Sequence, residues 1–412
     1  MSTKKQLPAS KRRVPELLAP AGDMERLQAA VRFGADAVYL AGKSFGMRTA
    51  CHNFDPKQMQ EAIAYAHAHD VRVYVTCNTV PHPSEFNELP DFLCQTYEAG
   101  ADAFIVSDLG VFRLLRRLLP EAELHVSTQA GVVNAESANL FYELGARRIV
   151  PARELTLQEL AMLRRDIPSD MEIEAFVHGA MCVSFSGRCL LSSYMTGRDS
   201  NRGDCAQPCR WKYALMEEKR PGQYFPIAED HNGAYILNSR DMCMIDHIPE
   251  LLAAGVTSFK IEGRAKSAYY VALMTNAYRM AIDAAVQGQK PEPWVLEEVN
   301  KISHRAYSTG FFFGEEPGQV YENGGYIRSY EVAAVAEKWE NGVLVAAQRN
   351  RFFCGDTLEI VAPGQPPVEL TVAEMRNAAN EPIEAASHAE MELHIPCPVA
   401  VPQGALLRKV KN

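Results

Sequence analysis

The polar stretch between His178 and Arg210 carries the residues best suited to hold a cofactor. It contains four of the ten cysteines of the chain, and a fifth follows about one helix further on. The five are Cys182, Cys189, Cys205, Cys209 and Cys243. Free cysteines that serve only packing usually lie among apolar neighbours, whereas this stretch is rich in Gly, Ser and Arg. The pattern therefore indicates a loop whose thiols share a ligand.

The spacing of these cysteines fits two kinds of inorganic ligand. Cys205 and Cys209 have three residues between them, as in the close pairs of zinc sites. Cys182 and Cys189 have six between them, and an iron–sulfur cluster tolerates such wider spacing. Spacing alone favours neither ligand. Disulfides are disfavoured because nothing in the sequence indicates secretion, and unrelated thiols in a flexible loop are the simplest alternative.

Composition limits the classes of protein that the chain can represent. Its 412 residues carry a formal net charge of −9, which disfavours indiscriminate binding of polyanions but permits a local basic face. No apolar run reaches the roughly 18 residues of a membrane span, and the basic residues 1–13 are not followed by the apolar segment of a signal peptide. We expect a disordered tail over 1–13, no membrane association and a reducing, cytoplasmic location.

From Val14 onward, short apolar segments alternate with amphipathic ones. The octapeptide at 33–40, F-G-A-D-A-V-Y-L, returns as A-G-A-D-A-F-I-V at 99–106, with looser copies at 144–150 and 254–261. In each copy a glycine ends a helix before an apolar strand, because glycine adopts the left-handed cap conformation without steric cost. Eight such units predict an α/β fold, a (β/α)8 TIM-like barrel. An open doubly wound sheet is the alternative, although no G-x-G-x-x-G follows the first strand.

The connection between predicted strands seven and eight is far longer than the others. The cysteine-rich loop, residues 178–243, fills it and would emerge at the C-terminal mouth of the barrel, where barrel enzymes keep their chemistry. Beyond the tail we assign 14–290 to the barrel domain, 291–329 to a bridging segment and 330–412 to a small C-terminal all-β barrel domain. Asn341-Gly342 predicts a hairpin turn there. This β-domain is expected either to hold a protein partner or to pack without a chemical role.

Polar residues stand at the C-terminal ends of the predicted strands, where side chains point into the barrel mouth. They are Tyr39, Asn78, Asp108, Gln129, Arg153, Glu154, His178, Lys260, Glu262 and Arg264. Such a ring implies a polar substrate. Glu154 and Glu262 are candidate catalytic acids or bases, and Arg153 and Arg264 suit bidentate binding of a carboxylate or phosphate. The alternative is that several of these groups only pair with each other.

Three patterns bear on hydrolytic chemistry. His178 precedes Cys182 by four residues, so it is a candidate catalytic base for a Cys–His pair, although a histidine at the end of an inner strand is as readily a hydrogen-bonded support. The sequence G-K-S-F-G at 42–46 matches G-x-S-x-G but is not followed by a helical pattern, and we interpret it as a loop. No H-E-x-x-H occurs.

The segment at 174–192, E-A-F-V-H-G-A-M-C-V-S-F-S-G-R-C-L-L-S, resembles the signature of peptidase family U32, the collagenase-like peptidases. The resemblance continues at 15–22, 34–39, 201–211 and 259–264, and with the β-domain it covers nearly the whole chain. It is greatest to the branch implicated in converting the wobble uridine of certain tRNAs to 5-hydroxyuridine. It therefore implies tRNA and the iron–sulfur assembly machinery as partners and prephenate as co-substrate. Other relatives act in rRNA cytidine hydroxylation and in oxygen-independent ubiquinone hydroxylation.

The resemblance shifts the choice of ligand from zinc to a 4Fe–4S cluster. Matched residue by residue, it implies Cys182, Cys189 and Cys205 as cluster ligands. The fourth ligand stays open, because some relatives use the position of Cys209 and others that of Cys243.

The cysteine loop also concentrates positive charge. Its basic residues are Arg188, Arg198, Arg202, Arg210 and Lys212, against Asp199 and Asp204 alone. Such a patch suits contact with phosphates, and we assign Arg188 and Arg210 to substrate binding together with Tyr39, Asn78, Gln129, Arg153 and Arg264. Tyr194 and Trp211 are suited either to stack on bases or to pack. The alternative of a solvated charged loop stays open.

Two other functions stay as hypotheses. A peptidase, the historic name of the family, needs a nucleophile, a base and an oxyanion hole, and the sequence offers no convincing set. A non-catalytic iron–sulfur partner subunit would explain the cysteines, but the polar ring at the mouth argues against it.

Overall fold

The computed structural model describes residues 15–47, 52–181, 187, 189–211, 214–216, 219, 221–222, 224–226, 240–315 and 326–411. The predicted tail, Cys182, Arg188 and Lys212 lie outside these residues, as does the side chain of Arg210. Among the residues that the structure describes, no helix is long and apolar enough to cross a membrane.

A closed barrel of eight parallel strands contains the candidate site. The strands up to residue 308 are β1 (Glu16–Pro20), β2 (Ala37–Leu40), β3 (Arg72–Cys77), β4 (Ala103–Val106), β5 (Glu123–Val126), β6 (Arg148–Ile149), β7 (Glu172–Ala180), β8 (Ala214–Met216), β9 (Tyr224–Pro226), β10 (Asp241–Cys243), β11 (Ser258–Ile261) and β12 (Tyr307–Ser308). Strands β1 to β7 pair in chain order, and β11 closes the barrel by pairing with both β7 and β1. The predicted TIM-like barrel is confirmed, with the insertion between its seventh and eighth strands.

Helices alternate with the barrel strands along the chain. They are α1 (Met24–Arg32), α2 (Pro56–Ala68), α3 (Leu89–Glu98), α4 (Leu109–Leu118), α5 (Ala135–Glu143), α6 (Leu157–Asp166), α7 (Leu191–Thr196), α8 (Ile248–Ala253), α9 (Ala268–Val286) and α10 (Pro293–Glu298). Two helix starts carry side-chain caps: Asp55 accepts the backbone N–H of Gln58 ahead of Pro56, and Thr156 forms a capping box with Glu159. Caps satisfy the otherwise unbonded N–H groups of the first turn, so these short polar signals fix where each helix begins.

A layer of buried charged and hydroxyl side chains lies inside the barrel toward the N-terminal ends of its strands. This charged layer consists of Glu16, Tyr74, Arg148, Glu174, Ser258 and Lys260, all buried. The Arg148 guanidinium lies 2.7 Å from Glu16 and 2.9 Å from Glu174, and Lys260 lies 2.6 Å from the other oxygen of Glu174. Buried charges are stable only when paired and hydrogen-bonded. The layer meets that condition, and it lies toward the end of the strands opposite the mouth.

The chain divides into two compact units. One comprises residues 1–27, 35–266 and 304–326 and includes the barrel strands and the insertion; the other comprises 28–34, 267–303 and 327–412. The C-terminal strands are β13 (Tyr330–Glu340), β14 (Val343–Gln348), β15 (Phe352–Phe353), β16 (Thr357–Val361), β17 (Val368–Thr371), β18 (Met375–Asn377), β19 (Pro382–Ile383), β20 (Ala385–Ala386), β21 (Glu392–Pro396) and β22 (Leu406–Val410).

The C-terminal domain is all-β, as predicted, and the structure shows that its strands are antiparallel. Eight strands form one sheet in the order β17-β16-β22-β13-β14-β21-β18-β19, and β15 pairs with β20. Asn341 and Gly342 both have positive φ, 51° and 81°, and join β13 to β14, which confirms the predicted hairpin turn. Within the second unit, fully buried Arg408 binds Glu298 of α10 through two bonds of 2.6 and 2.7 Å. This bidentate pair ties α10 to the sheet.

Candidate functional site

A cavity of about 190 Å³ opens at the C-terminal ends of the barrel strands. Most residues predicted to ring the mouth line it, namely Tyr39, Asn78, Gln129, Arg153, Glu154, Lys260, Glu262 and Arg264. Two of the ring, Asp108 and His178, are not part of its wall. Asp108 caps α4 instead, because its carboxylate accepts the Val111 N–H at 3.0 Å. A position directly after a strand therefore predicts much of the cavity wall. It does not distinguish a residue that caps a helix from one whose side chain faces the cavity.

An amide pair forms part of the cavity wall. Asn78 Nδ2 donates to Gln129 Oε1 at 2.6 Å, and Asn78 Oδ1 accepts the Met47 N–H at 3.2 Å. These bonds hold the segments that follow β2, β3 and β5 against one another. Amide side chains carry both donors and acceptors, which is the chemistry that reads the polar edge of a planar ligand such as a nucleobase.

Arg264 holds the loop after β2 in place. Its guanidinium donates to Thr76 Oγ1 at 3.1 Å, to Asn53 Oδ1 at 3.2 Å and to the Met47 carbonyl. The side chain is buried, so these bonds are made in a poorly solvated setting where each is strengthened. Arg264 thus orients two residues of the cavity wall, Met47 and Thr76. Its binding of an anionic ligand stays a prediction.

Two cations of the wall lie against aromatic rings. The Arg153 guanidinium carbon lies 3.7 Å from the ring centre of Phe176, and Lys260 Nζ lies 4.5 Å from that of Tyr39. Arg153 also donates to the Ala180 carbonyl at 2.8 Å. Burial lowers the pKa of Lys260, which its partner Glu174 opposes. The planar Arg153 guanidinium, stacked on a ring, supplies a flat and positively charged surface, which suits a planar or carboxylate-bearing ligand.

Three of the predicted metal ligands, Cys189, Cys205 and Cys209, line this same cavity. The Cys205 sulfur accepts the Gln207 N–H at 3.4 Å. Among the residues that the structure describes, no three Cys, His, Asp or Glu side chains are grouped so as to hold a metal ion. Cys182 is outside those residues. The fold therefore brings three cysteines to one cavity, and the complete ligand set stays a prediction.

The insertion is fastened to the loops around the cavity. Gly187 has a φ of +74°, and a Cβ added there would lie 2.2 Å from the Gln129 carbonyl oxygen, so only glycine permits this approach. Arg202 pairs with Glu85 at 2.9 Å. These contacts bring the cysteine segment to the segments that follow β3 and β5.

His178 and Cys243 stand opposite each other where β7 pairs with β10, and neither lines the cavity. Burial lowers the pKa of His178 to about 3, with Lys266 and His304 acting in the same direction, so the imidazole is neutral at physiological pH. Its ring centre lies 5.3 Å from that of Tyr307. This position suits the support role, and the catalytic role of His178 stays a prediction.

The G-x-S-x-G match does not form a nucleophile elbow. Residues 43–47, which include Ser44, form bends, and the next helix along the described chain is α2, beginning at Pro56. A nucleophile elbow needs a strand, a sharp turn and a helix in direct succession. The interpretation of this motif as a loop is confirmed.

Several residues of the wall were not predicted. Ser127 and Thr128 directly follow β5, so the position that identified Gln129 would have identified them too. Phe176 and Ile105 are inward-facing strand residues, and alternation along β7 and β4 is the signal that predicts them. Met47 comes from an irregular loop, and no local pattern in the sequence marks it.

The matches to family descriptions cover both parts of the chain. Residues 22–321 match Peptidase family U32, and residues 328–408 match the Peptidase family U32 C-terminal domain. The chain belongs to peptidase family U32. In this U32 chain the signature at 174–192 spans much of β7, which contributes Phe176 to the cavity wall, and continues into the insertion, which contributes Cys189.

Similar proteins match between 74% and 93% of this U32 chain. The tRNA hydroxylation protein P of Escherichia coli K12 is 35% identical over 93% of this chain and 94% of its own. A Methanocaldococcus jannaschii protein described as the uncharacterized protease MJ0090 is 41% identical over 79% and 78%. The 23S rRNA 5-hydroxycytidine C2501 synthase of Escherichia coli K12 is 36% identical over 74% of this chain and 46% of its own.

Proposed function

We propose that this protein is an RNA-modifying hydroxylase that forms 5-hydroxyuridine at the wobble position of tRNA. The observation that carries the proposal is the mouth cavity, where cysteines of the insertion and the polar ring of the barrel meet. Full-length similarity to a tRNA hydroxylation protein and partial similarity to an rRNA hydroxycytidine synthase support the same chemistry. Both of those names describe hydroxylation of an RNA, and the second names a cytidine as the modified nucleoside.

The dimensions of the cavity favour a single base, rather than several nucleotides, as the part of the RNA that enters it. Its volume of about 190 Å³ lies below the range of about 300–1,000 Å³ typical of drug-sized ligands. A base removed from its stack is read in such pockets by hydrogen bonds to its edge and by flat contacts to its faces. Asn78 and Gln129 supply the first kind of contact, and Tyr39 and Phe176 supply rings for the second.

We propose that Cys182, Cys189, Cys205 and one of Cys209 or Cys243 bind a 4Fe–4S cluster. The donor set fits, because four thiolates are the usual ligands of such a cluster and three of the five cysteines already share one cavity. A cluster at this position would supply one-electron redox chemistry beside the bound base. Loading it would make the iron–sulfur assembly machinery a partner of the chain.

We further propose prephenate as a co-substrate. Prephenate carries two carboxylates, and the cavity wall includes the cations Arg153, Lys260 and Arg264. Guanidinium groups bind carboxylates in bidentate fashion. Glu154 and Glu262, on the same wall, are the candidate groups for moving protons.

The first test is the iron and sulfide content of protein purified without oxygen, together with its visible absorption. Wild type, Cys209→Ala, Cys243→Ala and the control Cys94→Ala, which changes a cysteine of α3, are compared. A cluster retained in the control and lost in one of the other two variants names the fourth ligand. Zinc in place of iron, or no metal in the wild type, would refute the cluster.

The second test measures the modification itself. Deletion of the gene should abolish 5-hydroxyuridine in tRNA, as detected by mass spectrometry of nucleosides. Wild-type protein should restore it and Cys205→Ala should not, and restoration should depend on prephenate. Protein cleavage that survives Cys205→Ala, without any change in tRNA, would instead support a peptidase.

A further inference from the structure

The insertion exposes an aromatic and apolar surface beside the cavity. Helix α7 follows Cys189 directly, and Leu190 and Tyr194 lie one turn apart on it, 69% and 87% exposed. Met195 is also exposed. Trp211 follows the 3-10 turn Pro208–Arg210, which packs against α7, and is 47% exposed. We refer to Leu190, Tyr194, Met195 and Trp211 as the rim surface.

The same short helix also faces the cavity. Leu191 is part of the cavity wall, and Ser192 is buried, its hydroxyl accepting the Ala206 N–H at 3.0 Å. One side of α7 is therefore fixed by the wall while the side with Leu190 and Tyr194 faces solvent. A ligand that extends out of the cavity past Leu191 would meet the rim surface next.

An RNA substrate must extend in this way. A cavity of about 190 Å³ is too small for several nucleotides, so the nucleotides next to the target base remain outside on its rim. Unstacked bases gain binding energy by stacking on aromatic side chains, and this stacking tolerates any sequence. The segment that carries the rim surface also has five basic residues against two acidic ones between 182 and 212, in a chain of net charge −9. Arg198 pairs with Asp204 and Arg202 with Glu85, and the sequence of the segment still has more basic than acidic residues, which suits a phosphate backbone.

We propose that the rim surface, with Tyr194 at its centre, stacks a base adjacent to the target nucleotide in single-stranded RNA. This inference rests on the proposed function and names how that site recognises its substrate. A protein partner fits less well, because four side chains are far fewer than the roughly 20–30 residues that each partner contributes to a standard protein interface. The side chain of Tyr194 is 87% exposed, so its ring offers the flat face on which a base stacks.

The test measures binding of the full-length, cluster-loaded protein to a synthetic anticodon stem–loop RNA with uridine at the wobble position. Tyr194→Ala should weaken binding about tenfold, which is within the range reported for loss of one base–aromatic stack. Tyr194→Phe should bind like wild type, because it keeps the ring. Tyr194→Leu should bind as weakly as Tyr194→Ala, because it keeps apolar area but has no ring. Phe353→Ala, which removes a half-exposed ring in the C-terminal unit, is the matched control and should have no effect.

A second series locates the stacked base. The stem–loop is prepared with an abasic nucleotide at each position flanking the uridine. When the abasic nucleotide replaces the stacked base, the affinity of wild type should fall about as much as Tyr194→Ala lowers affinity for intact RNA. The affinity of Tyr194→Ala should be the same for this abasic RNA as for intact RNA. Equal binding by Tyr194→Leu and wild type would overturn the proposal. So would a result in which, at every abasic position, the effects of the Tyr194→Ala substitution and of the missing base on binding free energy add. If wild type neither binds nor modifies the RNA, the proposed function itself fails, which is a different result from a wild-type enzyme that is insensitive to Tyr194.

Discussion

The charged layer and the mouth cavity lie in the same barrel, and both are rich in polar groups. In the layer, Arg148 lies within 2.9 Å of Glu16 and Glu174, with no space between them for a ligand. At the mouth, polar side chains of similar types stand around a cavity of about 190 Å³. Lys260 belongs to both, since it pairs with Glu174 and lines the cavity. Polar residues inside a barrel thus indicate a binding site only where their partners leave room for another molecule.

The largest expected effect tests whether the layer is structural. Arg148→Ala should lower the free energy of unfolding by about 3–5 kcal/mol, because it removes the guanidinium that pairs with the buried carboxylates of both Glu16 and Glu174. The adjacent Arg147→Ala is the control: Arg147 is exposed and pairs with Asp170 on the surface, so its loss should cost less than about 1 kcal/mol. Urea unfolding followed by circular dichroism measures both. Equal effects of the two variants would show that the layer does not hold the barrel together.

The next effect tests whether the mouth is functional. Glu262→Gln keeps the shape of a half-buried wall residue but removes its charge and basicity. We expect the rate of tRNA modification to fall about a hundredfold or more, as for loss of a general acid or base, with an unchanged unfolding midpoint. Glu143→Gln, an exposed residue at the end of α5, should leave both quantities unchanged. A lower unfolding midpoint with an unchanged modification rate would show that Glu262, like the charged layer, supports the fold and not the reaction.

A smaller effect concerns pH. Burial, reinforced by Arg148, holds the pKa of His125 below its ordinary value of 6.5. Below that pH the unfolded chain binds a proton that the folded chain does not, so stability must decrease as the pH falls, by at most about 1.4 kcal/mol per pH unit for one proton. Unfolding of wild type and His125→Asn is compared between about pH 7 and pH 5. The variant should show the shallower dependence, and parallel curves would contradict a neutral buried His125 beside the layer.

The smallest effect concerns the amide pair of the cavity wall. Asn78→Ala and Gln129→Ala should each cost about 1 kcal/mol of unfolding free energy, and the double variant should cost less than their sum, because the two side chains bond each other. Each should also raise KM for tRNA more than it lowers kcat. Strict additivity, with unchanged KM, would remove the pair from the proposed binding role.

Much of the fold could be predicted from local patterns. The repeated G-A-D-A motifs, and caps such as Asp55 and Thr156, act within a few residues, so they are visible in the sequence. Position after a strand identified most of the mouth ring for the same reason. The layer around Arg148 was not predicted, since its partners come from strands far apart in the chain. Met47 was missed because its place on the wall depends on Arg264, more than two hundred residues later.

The sequence by itself determined the alternation of strands and helices, the hairpin at Asn341-Gly342, the position of the cysteine insertion and the resemblance to family U32, because these follow from local periodicity, turn chemistry and motif. Only the tertiary structure decided which polar residues meet. In that structure Asp108 caps a helix, His178 does not line the cavity, and Cys189, Cys205 and Cys209 line the same cavity. Barrel closure, between β11 and β1, brings together groups whose separation along the chain says nothing about their distance in space.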